Sequence, residues 1–119
     1  MTAERGFPRA YRLANSADIR HCLLAGRRSK SGSLEMIWTD NTAGHPRMGL
    51  IVPRFQSTAV ARNCLRRRLK EIWRRDLRER QPAWDLVIRA RREAYGTSFQ
   101  DLRADLAGWA EKYLPPVDD

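Results

Sequence analysis

No apolar run in the chain approaches the roughly 18 residues that cross a bilayer. The opening stretch MTAERGFPRAYRL carries charge with no apolar segment behind it. Neither a membrane partner nor a secretory signal is therefore expected, and the product should stay in the cytoplasm. Cysteine and histidine are scarce: Cys22 and Cys64, His21 and His45. None of the four stands at metal-ligand spacing from another, so no metal site is expected, and reduced thiols on separate segments act as small core fillers rather than a disulfide. Acids are outnumbered, 14 against 23 bases, and lie scattered along the chain. That scatter offers no carboxylate cluster for two metals, and no Ser-His-Asp set, Cys-His pair or H-x-x-x-H supplies a nucleophile. No catalytic residue is expected in the protein.

Lysine is scarce too. Only Lys30, Lys70 and Lys112 are lysines, and every other base is arginine. Arginine forks onto phosphate and stacks on bases, which suits nucleic acid. A formal charge of +9 on 119 residues implies an anionic partner, and 42% hydrophobic content still allows an ordinary core. The length fits one domain, residues 1–119, with no linker and no repeat.

Residues 1–15 read as an irregular arm in which Arg5, Arg9 and Arg12 alternate with Phe7 and Tyr11. Ser16 is placed to cap a helix that stops at Gly26. RRSKSGS reads as a flexible basic loop. Alternation over 33–40 predicts a half-buried strand, and 47–54 a second one, the two forming an antiparallel hairpin across NTAGHP. Ser57 or Thr58 caps a long helix that ends before Pro82, residues 84–91 form a third strand, and Ser98 caps a last amphipathic helix. Pro115-Pro116 ends it and leaves 115–119 as a frayed tail. The expected fold is a single α+β domain in the order α-β-β-α-β-α.

The long helix, Ala59 to Arg80, holds nine bases against three acids, so six of the nine formal charges sit there. Wound at about 100° per residue, Ala61, Leu65, Leu69, Ile72 and Trp73 fall on one side and must face the sheet. The opposite arc collects Asn63, Arg66, Arg67, Lys70, Arg74 and Arg78. A merely solvated face would mix its signs, whereas like charges at i,i+4 such as Arg62, Arg66, Lys70 and Arg74 repel. A polyanion relieves that repulsion. The free N–H groups of the first helical turn, beside Arg62 and Asn63, attract phosphate as well.

In this helix the run Ala59-Val60-Ala61-Arg62-Asn63-Cys64-Leu65-Arg66-Arg67-Arg68-Leu69-Lys70-Glu71 resembles the signature A-V-x-R-N-R-x-K-R-x-x-R-E of the bacterial ribonuclease P protein subunit. Arg66 and Lys70 exchange one cation for another, while Cys64 replaces an arginine and Arg68 stands nearby to compensate. Arg12-Leu13 with Ser16-Ala17-Asp18-Ile19, Met48-Gly49-Leu50-Ile51-Val52, and Asp85 to Arg91 are similar to further family segments, so the resemblance spans nearly the whole chain. Pro53-Arg54-Phe55-Gln56-Ser57 departs from the family's S-K-K-x-G.

The resemblance implies a small mixed sheet packed on helices, like the second domain of ribosomal protein S5. It also implies a left-handed βαβ crossover through the basic helix, against the general right-handed rule. It implies a protein that assists a catalytic RNA in removing the 5′ leader of precursor tRNA. Mg²⁺ would be bound mainly by that RNA, with no cofactor intrinsic to the protein and no obligate protein partner. Arg62, Asn63, Arg66, Arg67, Arg68, Lys70 and Arg74 would then contact RNA. Arg12, Ile19, Leu23, Ile37, Arg54 and Phe55 would line the leader cleft, with family aromatics replaced at Ile19, Leu23 and Ile37. Phe55, Trp38 or Tyr11 are the candidates to restore stacking surface. The alternatives are a non-enzymatic ribosomal or tRNA-binding module and a protein-only nuclease.

Overall fold

Three short polar side chains open the three helices of the chain, whose computed structural model describes residues 8–116. Asn15 accepts from the backbone of Ala17 and Asp18 and starts α1, Ser16–Ala25. The cap therefore falls one residue before Ser16, which is already helical. Thr58 accepts from Ala61 N at 3.0 Å and starts α2, Ala59–Ile72. Ser98 accepts from Asp101 N and starts α3, Phe99–Tyr113. Each such cap satisfies an amide that the helix cannot pair internally. Arg5, Phe7 and the tail residues 117–119 lie outside the described residues.

Four strands are present: β1 Arg27–Ser31, β2 Leu34–Asp40, β3 Arg47–Ile51 and β4 Trp84–Ala90. The basic segment read as a loop is β1, and it turns into β2 over Gly32 and Ser33, with Gly32 at φ 59. A glycine at positive φ followed by serine is what a two-residue hairpin turn requires. The sheet runs β1-β2-β4-β3, antiparallel except for the parallel pair β3 and β4, which α2 connects. The expected hairpin of β2 with β3 does not form, because β4 lies between them. Leu86, Val87 and Ile88 are buried on both faces, and a strand apolar on both faces belongs in the middle of a sheet. The order is α-β-β-β-α-β-α.

One face of the sheet, with Leu34, Met36, Trp38, Leu86 and Ile88, packs under Leu65, Leu69, Trp73, Leu102, Leu106 and Trp109 of α2 and α3 and the turn that extends α2. The other face is covered by α1, where Cys22 and Leu13 close over Ile37 and Val87. The helix of α2 continues as a π-helical turn, Trp73–Leu77. The Trp73 indole N–H there donates to Gln81 at 2.9 Å. Asp85, 4% exposed, is gripped by the Arg47 guanidinium at 2.8 and 3.0 Å and accepts from the Asn41 amide at 2.9 Å. Arg47 also reaches Asp18 of α1 at 3.5 Å, so one ion cluster joins α1, β3 and β4. Among the described residues no helix is long and apolar enough to cross a membrane.

Candidate nucleic-acid interface

The winding expected for α2 is the one observed. Leu65, Leu69 and Ile72 are buried, Asn63 and Arg67 are exposed, and Arg62, Arg66, Arg68 and Lys70 are half-buried on the outer flanks. Further along, acids temper the charge. Glu71 takes a two-pronged contact from Arg74 at 3.2 and 2.9 Å and one from Arg75 at 2.6 Å. The Arg74 hydrogen bonds hold the Glu71 carboxyl below its usual range, and the Arg75 charge adds to this. Arg78 lies over the Tyr11 ring at 5.1 Å, and Arg80 donates to the carbonyls of Ala110 and Pro115. The unopposed part of the arc is therefore its first half, where Arg66, Arg67 and Arg68 form no ion pair among the described residues. Arg74, expected on the RNA side, is tied to Glu71.

A groove of about 240 Å³ runs between the segment Arg12–Ala14, the outer edge of β3 and α2. Arg12, Ile19, Arg66 and Lys70 line it. Arg12 bridges to Met48, and Leu13 N donates to Met48 O at 3.1 Å. Gly49 permits this approach, since a Cβ there would come within 2.6 Å of Leu13 O. Burial, then the charges of Arg12 and Arg66, hold the Lys70 ammonium below its usual range. Three cations thus converge where an anion would relieve them.

A second groove, about 470 Å³, lies on the α1 side of the sheet near Phe55, with Lys30, Glu35, Arg89 and Arg91 among its walls. The loop before α2 enters it with Phe55 at φ 48 and Gln56 at φ 129, a backbone that side chains rarely adopt. Tyr95 holds this loop, donating its hydroxyl to Pro53 O at 2.6 Å and meeting the Phe55 ring edge-on at 6.3 Å. The Arg92 guanidinium lies 4.9 Å over the Phe55 ring.

The residues expected to line one cleft are thus divided. Arg12 and Ile19 lie in the first groove and Phe55 in the second, while Arg54 is exposed and its carbonyl receives Gln56 N and Ser57 N. Leu23 packs against the small core under α1. Ile37 is wholly buried there, so it supports α1 and presents no surface to a ligand. Trp38 is buried under Trp109 and Tyr113, and Tyr11 packs on Trp73 and His45, so Phe55 is the candidate that remains at a groove. Lys30, Arg89, Arg91 and Arg92 were not foreseen. The signal for them is period-two alternation: Lys30 lies opposite Glu35, and Arg89 follows buried Val87 on the same face. Among the described residues no three His, Cys, Asp or Glu side chains gather to hold a metal ion.

A small α+β domain with an arginine face on its long helix and two cation-lined grooves is an RNA-binding protein. The profile of the family described as Ribonuclease P matches residues 7–114. The chain belongs to that family. It is 33% identical over 97 residues to the ribonuclease P protein component of Aliivibrio fischeri, covering 81% of this chain and 82% of the relative. It is 37% identical over 91 residues to that of Methylococcus capsulatus, covering 75% and 70%. The fold matches a Staphylococcus aureus RNase P protein mutant with defective mRNA degradation activity, with TM-score 0.81 and 21% identity over 89% of this chain and 91% of that one. It also matches the RNase P protein from Thermotoga maritima, with TM-score 0.76 and 21% identity over 91% and 98%.

Proposed function

We propose that this chain is the protein partner of a catalytic ribonuclease P RNA and that the two together remove the 5′ leader from precursor tRNA. Water attacks one phosphodiester; the leader departs with a 3′-hydroxyl and the mature tRNA keeps a 5′-phosphate. Mg²⁺ bound by the RNA supplies activation of that water when present. The protein's own part is electrostatic and positional. Arg66, Arg67 and Arg68, with Asn63 beside them, dock on RNA phosphates, and the two grooves hold the single-stranded leader through charge and stacking. The complex acts in the cytoplasm and needs no second protein.

The observation that carries this reading is the convergence of Arg12, Arg66 and Lys70 on one groove beside the unpaired arginines of α2. A fold stabilised for its own sake would not gather like charges around a cavity. The test mixes the chain with a bacterial ribonuclease P RNA and precursor tRNA at low Mg²⁺, where the RNA alone is weak. Cleavage that needs both components is the expected result. Absence of stimulation at every Mg²⁺ level overturns the reading in favour of a non-enzymatic RNA-binding module, and cleavage by protein alone would make it a nuclease in its own right.

A further inference from the structure

The groove beside Phe55 contains an acceptor that the chain itself leaves unused. Glu35 sits on β2 with its side chain 17% exposed, and its nearest cations, Arg28 at 3.8 Å and Arg89 at 3.9 Å, are beyond hydrogen-bond distance. Its cross-strand neighbour is Lys30. Among the described residues no hydrogen bond ends on either Glu35 oxygen. Near it the Arg92 guanidinium already lies over the Phe55 ring, and Tyr95 fixes the loop that carries that ring. Aromatic rings and guanidinium planes are the surfaces on which unpaired bases stack.

We propose that this groove holds one nucleotide of a single strand, its base against the Phe55–Arg92 stack and its exocyclic amino group donated to Glu35. The proposal rests on the leader-binding reading above and adds a base preference to it. Adenine, cytosine and guanine each offer an amino group, and a carboxylate accepts from such groups. Uracil offers two carbonyl oxygens around a single N–H, which sets acceptor against acceptor. A volume of about 470 Å³ is in the range of small-ligand sites. Lys30 and Arg89 remain to meet the flanking phosphates.

The test uses holoenzyme reconstituted with the full chain, and precursor tRNAs whose leaders carry each of the four bases at one position after another, cleaved in competition. At one leader position uracil should lower kcat/KM on the order of tenfold, the worth of a hydrogen bond to a charged group. Glu35→Gln should bring that ratio close to one, because an amide presents a donor as well as an acceptor. Phe55→Ala should lower kcat/KM for all four bases together, by about fivefold or more. A flat profile at every position, or a uracil penalty that survives Glu35→Gln, overturns the nucleotide pocket while stimulated cleavage keeps the leader-binding reading intact. If the wild-type chain stimulates no leader at all, both fall.

Discussion

Arg66 and Arg67 differ from Arg75 and Arg80 in what they already hold. The first two have no acid partner among the described residues, whereas Arg75 contacts Glu71 at 2.6 Å and Arg80 caps the carbonyls at the end of α3. Replacing Arg66 and Arg67 together by Ala should weaken binding to the ribonuclease P RNA by tenfold or more, on the order of one or two charge-assisted contacts, while circular dichroism stays unchanged. The Arg75 and Arg80 double substitution should weaken it less and lower the Tm instead. Equal losses of affinity would mean that only total charge matters. Cys22 gives a second prediction. Burial, then the nearby Asp85 charge, pushes its thiol up to about 11. In the unfolded chain the thiol ionises near pH 8.5, so above that pH the unfolded state loses a proton that the native state keeps. Stability should therefore fall as pH rises from about 8.5 to 11, by up to about 1.4 kcal/mol per unit. Urea unfolding of the wild type and of Cys22→Ala should diverge over that interval, and half-buried Cys64 should be alkylated before Cys22.

At the scale of elements, the helices were legible and the sheet was only partly so. Short polar caps and the 3.6-residue period mark α1, α2 and α3 within the chain itself, because a helix satisfies its backbone locally. A sheet does not, and strand order depends on partners distant in sequence. RRSKS has no apolar face to announce a strand, yet it pairs with β2 as a polar edge because Gly32 turns the chain and the Asp105 carboxylate takes Ser33 N at 3.1 Å. The buried centre of β4 was visible, but its place between β2 and β3 was not. The ion cluster at its start gives the element-scale prediction. Arg47→Met should strand the Asp85 carboxylate in the interior and destabilise the fold by about 3 kcal/mol, measured as a lower urea midpoint.

Over the whole molecule, cations divide between two tasks. Arg47, Arg74, Arg80 and Arg103 are spent on Asp85, Glu71, helix-end carbonyls and Asp76, while Arg66, Arg67 and Arg68 stay open. The formal charge of the chain therefore overstates what is available to RNA. This division was illegible in the sequence, since Arg74 lies on the same helical arc as Arg66 and only the fold shows which acid it meets. Affinity for the ribonuclease P RNA should fall with salt by about 0.7 to 0.9 log units per log unit for each phosphate neutralised. The Arg66 and Arg67 double substitution should reduce that slope by roughly one to two such units, read from titrations over a range of KCl.

The segment that brings Arg12 to its groove also lies along the outer rim of β3, where Leu13 covers the backbone of Met48. The opposite rim, β1, is guarded by Arg27, Arg28 and Lys30. An uncovered rim beside apolar side chains invites pairing between chains, and charge or a covering strap prevents it. The strap therefore keeps separate molecules apart as well as presenting a cation. A chain shortened to begin at Ser16 should self-associate, and light scattering during concentration would show it even in the absence of RNA.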